Sequence, residues 1–240
     1  MTRLDIIVAD RLKCSRTKAQ ELIAKGGCTL NNKTLTKPGI KLDKAQAEGV
    51  VIADDTGFVS RAGGKLAFAL EHFGIKLDNA RCLDIGASTG GFTQAMLVAG
   101  AAAVIALDNG HGQLDKSLMG DERVISMEGV DIRAVPPLPF MPGFIACDIS
   151  FISLTHALAH ISRLSNRADI ICLIKPQFEL SPDKIGNGIV KELKYHKEAV
   201  LKVVNNAAAH GLMPCGLAFS PIKGKKGNIE YLLWLKQGDV

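Results

Sequence analysis

Several features that would place a chain in a special class are missing from this sequence. None of its six cysteines forms a Cys-x-x-Cys pair, and most lie within apolar runs, which is typical of buried thiols in a reducing cytoplasm. The longest apolar run, residues 95–107, is too short to span a bilayer. The first sixteen residues contain no long apolar core, so we expect no secretory signal and a cytoplasmic protein without a membrane segment.

The composition is that of an ordinary globular protein, but its charge is unevenly distributed. The 240 residues are 47% hydrophobic and 22% charged, enough for one large core and a small accessory domain. The first 44 residues hold ten Lys and Arg against four acids, a charge of +6 that exceeds the +5 of the whole chain. A basic module joined to a nearly neutral one favours a polyanion-binding appendage.

The N-terminal module is predicted to contain two helices followed by two short strands. Ser15 suits the N-cap of the second helix and Gly26 its end, while residues 28–42 show two alternating runs with turn signals at Asn31–Asn32 and Pro38–Gly39. The first helix has an apolar face made of Leu4, Ile7, Val8 and Leu12.

Residues 3–44 resemble the small RNA-binding domain first known from a ribosomal small-subunit protein, with departures at Cys28 and Asn32. Basic side chains flanking the two helices are expected to contact RNA phosphates: Arg3, Arg11, Lys13, Arg16 and Lys18. We therefore expect an RNA-binding domain at 1–47, a linker at 48–58 and a second domain at 59–240.

The second domain alternates between strand and helix patterns. Five short apolar runs are bounded by acids and glycines, as in buried parallel strands, and two later runs form a closing antiparallel pair. This pattern predicts an α/β fold: a doubly wound, mostly parallel Rossmann-like domain that follows the small α+β domain, with its ligand at the carboxyl ends of the strands.

A glycine-rich turn, "GASTGG", follows the first of these strands. Ser88 stands two positions after Gly86, so the Gly-x-Gly-x-x-Gly fingerprint of dinucleotide folds is broken, which disfavours NAD. The pattern instead resembles the first motif of methyltransferases that use S-adenosylmethionine (SAM). The resemblance implies that Asp84 meets the methionyl end of SAM, Asp108 the ribose hydroxyls and Asp131 the adenine amino group. The full expected SAM-binding set is Asp84, Gly86, Ala87, Ser88, Thr89, Gly90, Gly91, Phe92, Asp108, Asp131 and Asp148.

Four charged residues beside strand ends, Lys65, Asp148, Lys175 and Glu230, resemble the tetrad of FtsJ-type ribose 2′-O-methyltransferases. A ribose hydroxyl is a poor nucleophile, and a buried lysine with a cationic neighbour can take its proton. We expect Lys175 to do so, with Asp148 and Glu230 orienting it and Lys65 assisting.

Together, the basic module and the motifs "SRAGGKL", "LDIGASTGGFT", "CDISFISL", "IKPQFE" and "GNIEYLL" resemble the TlyA family, also labelled haemolysin A. The resemblance implies 2′-O-methylation of a cytidine in ribosomal RNA, and we expect the enzyme to meet this RNA within ribosomal subunits. A membrane-active haemolysin and a catalytically inactive ribosome-binding protein are the alternatives.

Other polar and aromatic residues have weaker signals. His156 and His160 lie one helical turn apart without a third ligand, so no metal site is expected, and His196 is assigned to a charged helix face. Phe151 and Phe178 suit either base stacking or core packing. For the loop lysines, solvation and RNA contact stay equally open; these are Lys223, Lys225 and Lys226.

Overall fold

The computed structural model describes residues 1–12, 14–24, 26–30, 33–52, 57–224 and 226–237. The chain forms two compact units, Met1–Arg61 and Ala62–Val240. Some sequence predictions fall outside the described residues: those for Lys13, Lys225, the Asn31–Asn32 turn and positions 53–56 of the expected linker.

The first unit contains the predicted pair of helices and several short strands. In chain order its elements are β1 (Thr2–Arg3), α1 (Leu4–Arg11), α2 (Arg16–Ala24), β2 (Cys28–Leu30), β3 (Lys33–Leu35), β4 (Lys41–Leu42), α3 (Lys44–Glu48) and β5 (Val50–Ile52). Strands β3, β2 and β5 form one antiparallel sheet, and β1 pairs with β4.

Local sequence signals explain the boundaries of α2. The Lys18 backbone N–H donates to Ser15 Oγ at 3.2 Å, so Ser15 caps the helix as predicted. Gly26 follows the helix with a φ of +78°, a left-handed conformation that glycine adopts without strain.

Strand β5 lies within the segment predicted to be a linker. Val50 and Ile52 are buried, and Ile52 is opposite Cys28 in the sheet register. Both side chains belong to the core of this unit, together with Leu4 and Val8 of α1. Residues 50–52 therefore serve as a structural strand, because the side chains of Val50 and Ile52, two positions apart, lie on the same, core-facing side of it.

The described residues of the second unit form seven strands, as the sequence predicts. Its elements are α4 (Arg61–Phe73), β6 (Arg81–Ile85), α5 (Gly91–Val98), β7 (Ala103–Asp108), α6 (Lys116–Met119), β8 (Val124–Glu128), β9 (Phe144–Cys147), α7 (Thr155–Ile161), β10 (Asp169–Ile174), α8 (Pro176–Glu179), α9 (Leu193–Ala209), β11 (Leu212–Phe219) and β12 (Tyr231–Gln237).

These strands form a single sheet in the order β11-β12-β10-β9-β6-β7-β8. The five strands from β10 to β8 are parallel, whereas β12 is antiparallel to both of its neighbours. The doubly wound fold is confirmed. Its order reverses between β6 and β9, and ligands of such sheets bind beside the carboxyl ends of the strands at that reversal.

Helices α7 and α9 pack on the sheet through one apolar cluster, which includes Leu158, Ile161 and Val203. His196, assigned above to a charged face of α9, is instead buried, and that assignment is wrong. Its Nε2 lies 3.0 Å from the Val190 carbonyl and its Nδ1 2.9 Å from the Tyr231 hydroxyl, so both ring nitrogens have partners. Among the described residues, no helix is both long and apolar enough to cross a membrane.

Candidate active site

The turn after β6 brings the backbone close to the carboxyl end of β9. Gly86 has a φ of +82°, and a Cβ atom there would lie 2.6 Å from the Asp148 carbonyl oxygen. Gly90 has a φ of +91°, and a Cβ atom would overlap Leu118. Only glycine fits both positions, because each combines a left-handed backbone with a close neighbour.

Asp84 is the fourth residue of β6, two positions before Gly86, and it is fully buried. Its Oδ2 accepts a hydrogen bond from the Thr93 hydroxyl at 2.7 Å, and its Oδ1 has no partner among the described residues. Burial is the main cause of its pKa of about 7; the Asp148 and Asp108 charges also raise the pKa, while Thr93 lowers it. An unpartnered buried carboxylate oxygen favours a cationic ligand group, which fits the methionyl end of SAM.

The acids that follow β7 and β8 are already engaged in the loops around them. Asp108 accepts the backbone N–H groups of Ser88 at 2.8 Å and Gly110 at 2.7 Å, which ties the glycine-rich turn to the end of β7. A carboxylate has about four acceptor sites, so Asp108 retains capacity for a ribose hydroxyl. Asp131 accepts three hydrogen bonds from Arg133, and these hold the pKa of Asp131 at about 2. Its role toward adenine stays a prediction.

Glu128 is a site residue that sequence reasoning missed. Its carboxylate accepts the backbone N–H groups of Gly112, Gln113 and Leu114 at 2.8, 2.8 and 3.2 Å. These bonds lower its pKa and fix the loop after β7. Its position at the end of β8 was the available signal, since Asp84 and Asp108 were selected on the same basis.

The four predicted catalytic residues form two ion pairs. Lys175 Nζ lies 2.6 Å from Asp148 Oδ1, and Lys65 Nζ lies 2.5 Å from Glu230 Oε2. Asp148 follows β9 and Lys175 follows β10, so adjacent parallel strands supply the first pair. Glu230 directly precedes β12, whose first residue lies opposite Ile174, and Lys65 comes from α4.

This pairing differs in one respect from the sequence prediction. Glu230 was expected to orient Lys175, but its carboxylate instead accepts a hydrogen bond from Lys65. Lys175 donates its second contact to Ser150 Oγ at 2.7 Å, a residue that sequence reasoning did not select. Lys65, Lys175 and Glu230 are all at least nine-tenths buried, so the pairs lie largely out of water and each charge requires its partner.

An aromatic pair is formed by Phe151, on the loop after β9, and Phe178, in α8. Phe151 is 88% exposed, has a φ of +71°, and its ring centroid lies 5.5 Å from that of Phe178. A left-handed backbone costs a non-glycine residue on the order of 1 kcal/mol, so the surrounding structure must hold it there.

Glu179 supplies much of that support. Its buried carboxylate accepts the Ser153 hydroxyl at 2.5 Å and the Leu154 backbone N–H at 2.7 Å. Together with the Lys175–Ser150 bond, these contacts attach the loop on both sides of Phe151. The loop is therefore fixed on both sides of Phe151, while the ring itself is exposed to solvent. Such an arrangement suits stacking on a flat ligand.

In the first unit, the predicted basic residues have unequal surroundings. Arg3 and Arg16 both donate to the buried carboxylate of Asp5, and Arg11 donates to the Val50 carbonyl at 2.6 Å. Lys18 is exposed near the start of α2. Part of the basic surface is thus fixed by contacts within the unit.

Each of the two units matches a known protein family. A family model for FtsJ-like methyltransferases matches residues 58–237, and a model for the S4 domain matches residues 2–46. The 16S/23S rRNA (cytidine-2′-O)-methyltransferase TlyA of Mycobacterium tuberculosis is 39% identical over 96% of this chain and 87% of its own length. A Bacillus subtilis protein named as a candidate rRNA methyltransferase, YqxC, is 40% identical over 97% of this chain and 85% of its own.

A solved structure points the same way. A candidate hemolysin from Streptococcus thermophilus is 36% identical, covers 99% of this chain and 89% of its own, and superposes with a TM-score of 0.78. Because sequence and fold agree along nearly the entire length, the resemblance extends beyond the methyltransferase core. The chain belongs to the TlyA family of FtsJ-like methyltransferases.

Proposed function

We propose that the protein transfers a methyl group from SAM to the ribose 2′-hydroxyl of a cytidine in ribosomal RNA. The observation that carries the proposal is the pair of buried lysine–carboxylate contacts, Lys175–Asp148 and Lys65–Glu230, at the carboxyl edge of a doubly wound sheet. The relatives whose names state this reaction support it.

The glycine-rich turn would hold SAM together with three acids: Asp84 near the end of β6, Asp108 at the end of β7 and Asp131 after β8. Bound there, SAM supplies an electrophilic methyl group. The unpartnered carboxylate oxygen of Asp84 would face the positively charged methionyl end of SAM. Asp108, at the end of β7, would accept a hydrogen bond from a ribose hydroxyl. Glycine at positions 86 and 90 lets this turn pack closely against the Asp148 carbonyl and Leu118, which a side chain would prevent.

Lys175, as the neutral amine, would take the proton of the 2′-hydroxyl as the oxygen–methyl bond forms and the bond between the methyl carbon and the sulfur of SAM breaks. Asp148 and Ser150 hold its side-chain nitrogen from two directions, which fixes where the proton can be received. The Lys65–Glu230 pair lies at the neighbouring strand end and would orient the ribose through its buried charges. Excluding water around these pairs strengthens each electrostatic contact.

The exposed Phe151, backed by Phe178, would stack on the base of the target nucleotide. An aromatic face compensates the stacking that a nucleotide loses when it is drawn out of folded RNA.

The first unit would anchor the enzyme to ribosomal RNA within a ribosomal subunit. Phosphate contacts by basic side chains supply affinity and orientation, and the sugar acceptor is then selected in the second unit. Ribosomal subunits are found in the cytoplasm, which is where we place the protein.

Mapping ribose methyl groups tests the proposal. Purified full-length protein, labelled SAM and ribosomal subunits from cells lacking this gene should yield label on the 2′-oxygen of one or a few cytidines. Label on a base, or no transfer despite SAM binding, would contradict the proposal, and the second result would support an inactive ribosome-binding protein. A haemolysis assay comparing the protein with its Lys175→Ala variant separates membrane lysis from methylation.

The affinity for SAM should depend on pH because of Asp84. With a pKa of about 7, its carboxyl group is mostly neutral at pH 5.5 and mostly charged above neutrality. Calorimetry should therefore show SAM affinity rising from about pH 5.5 to pH 7.5, by up to about tenfold per pH unit at the acidic end. Asp84→Asn keeps an acceptor for Thr93 but carries no charge, so it should bind SAM weakly at every pH. A wild-type affinity that is flat across this range would show that Asp84 does not face the ligand's charge.

A further inference from the structure

Asp5 is a buried acid in the first unit that none of the roles above uses. It is fully buried, and three side chains donate to its carboxylate. Arg3 donates from Nε and Nη2 at 3.0 and 2.9 Å, Arg16 from Nε at 3.0 Å and Gln20 from Nε2 at 2.8 Å. These bonds hold the pKa of Asp5 well below its usual range, with the Arg3 contact contributing most.

The backbone fixes where this carboxylate lies. The Asp5 N–H donates to the Pro38 carbonyl at 3.0 Å, and the Leu4 N–H donates to the Ile40 carbonyl at 2.8 Å. The Arg3 guanidinium passes over Gly39, with its nitrogens about 3.6 Å from where a Cβ atom would stand. The guanidinium groups of Arg3, in β1, and Arg16, in α2, are therefore both held by the fixed carboxylate of Asp5.

Both guanidinium groups still reach solvent. The Arg3 and Arg16 side chains are 40% and 53% exposed. A guanidinium carries five N–H donors, and the bonds to Asp5 use two from Arg3 and one from Arg16. Because two arginines share one carboxylate, the cluster keeps a net positive charge.

We propose that Asp5 is a positioning residue that holds Arg3 and Arg16 as a two-arginine site for RNA phosphates. An arginine loses side-chain freedom when it binds, and a guanidinium already fixed by a buried carboxylate loses less. This inference rests on the proposed RNA-binding function of the first unit. A carboxylate that only balanced charge would instead weaken phosphate binding, so the two roles predict opposite effects when its charge is removed.

The test compares two RNAs with the full-length protein and its Asp5→Asn variant. The probes are ribosomal subunits from cells lacking this gene and a mixed-sequence RNA duplex. We expect Asp5→Asn to bind the subunits about tenfold or more weakly, while duplex binding stays equal or becomes tighter because the chain gains one positive charge. Equal or tighter binding of the subunits would overturn the proposal.

Companion variants separate positioning from folding. Gln20→Ala removes a bond to the same carboxylate without touching either arginine, so its subunit binding should stay near wild type. Arg3→Lys keeps the charge at an exposed site but cannot make the two-bond contact with Asp5, so it should lose subunit affinity as Arg3→Gln does. If lysine restores binding, charge alone is sufficient and the proposal fails, even where Asp5→Asn does not fold.

A double-mutant cycle completes the test. Adding Asp5→Asn to Arg3→Gln/Arg16→Gln should cost little further subunit affinity, since the groups it positions are gone. Fully additive losses would show that Asp5 acts through stability and would overturn the proposal. Wild-type protein that does not prefer subunits over duplex would overturn the proposed RNA-binding function, a result distinguishable from a defect confined to the variants.

Discussion

Lys175→Ala is expected to slow single-turnover methyl transfer by ~10²–10⁴, the range for a lost general base, with little change in affinity for SAM or ribosomal subunits. The side-chain nitrogen of Lys175 is held by Asp148 at 2.6 Å and Ser150 at 2.7 Å at the end of β10. Its removal deletes a group that acts on the moving proton, whereas the glycine-rich turn and the first unit stay in place. The loss should therefore appear in the rate of the chemical step.

Two further variants make this result specific. Lys175→Arg should rescue little, because a guanidinium stays charged and cannot take the proton. Lys236→Ala serves as the matched control, since Lys236 lies opposite Asp169 at the far end of β10 and should leave the rate unchanged. Near-normal turnover in either Lys175 variant would place the base elsewhere, and Lys65 would become the next candidate.

Deletion of residues 1–52 is expected to lower methylation of ribosomal subunits by ~10² or more at limiting RNA while SAM affinity stays intact. The cut removes β5 together with the rest of the first unit, because β5 pairs with β2 and would otherwise leave an unpaired strand. The second unit keeps α4 and all seven strands of its sheet.

Salt dependence is the companion measurement for this deletion. Wild-type affinity for the subunits should fall steeply as salt rises, and the truncated protein should lose most of that slope. Full-length Arg3→Gln/Arg16→Gln lacks two phosphate contacts but keeps the other basic side chains of the unit, so its salt slope should be intermediate. Truncated protein that methylates subunits at the wild-type rate would mean that the RNA anchor lies in the second unit.

The sequence predicted the sheet well because its signals are local. The parallel strands are short apolar runs, four of the five end at or just before an acid or a glycine, and the order of such runs restricts the topology. The same locality explains why the sequence could indicate charged residues at the strand ends but not how these residues pair. Lys65 and Glu230 are 165 positions apart, and no local pattern shows that they meet.

The errors have equally specific causes. His196 was read from its charged neighbours, although it lies on the apolar stripe of α9 with Val200 and Val203. Strand β5 was missed because three residues between polar segments give too short a run to stand out. Ser150 and Glu179 act through hydrogen bonds to loops that only the folded chain brings together.

The position of β12 has a consequence for synthesis of the chain. It is made after β10 and β11, yet it inserts between them. Until it emerges, β10 is left with an open edge whose backbone groups can pair with other extended chains. The same delay leaves Lys65 without Glu230, so a growing chain has neither a closed sheet nor a complete charged site. Insertion of β12 completes both, so we expect a nascent chain that lacks this strand to be inactive and prone to aggregation.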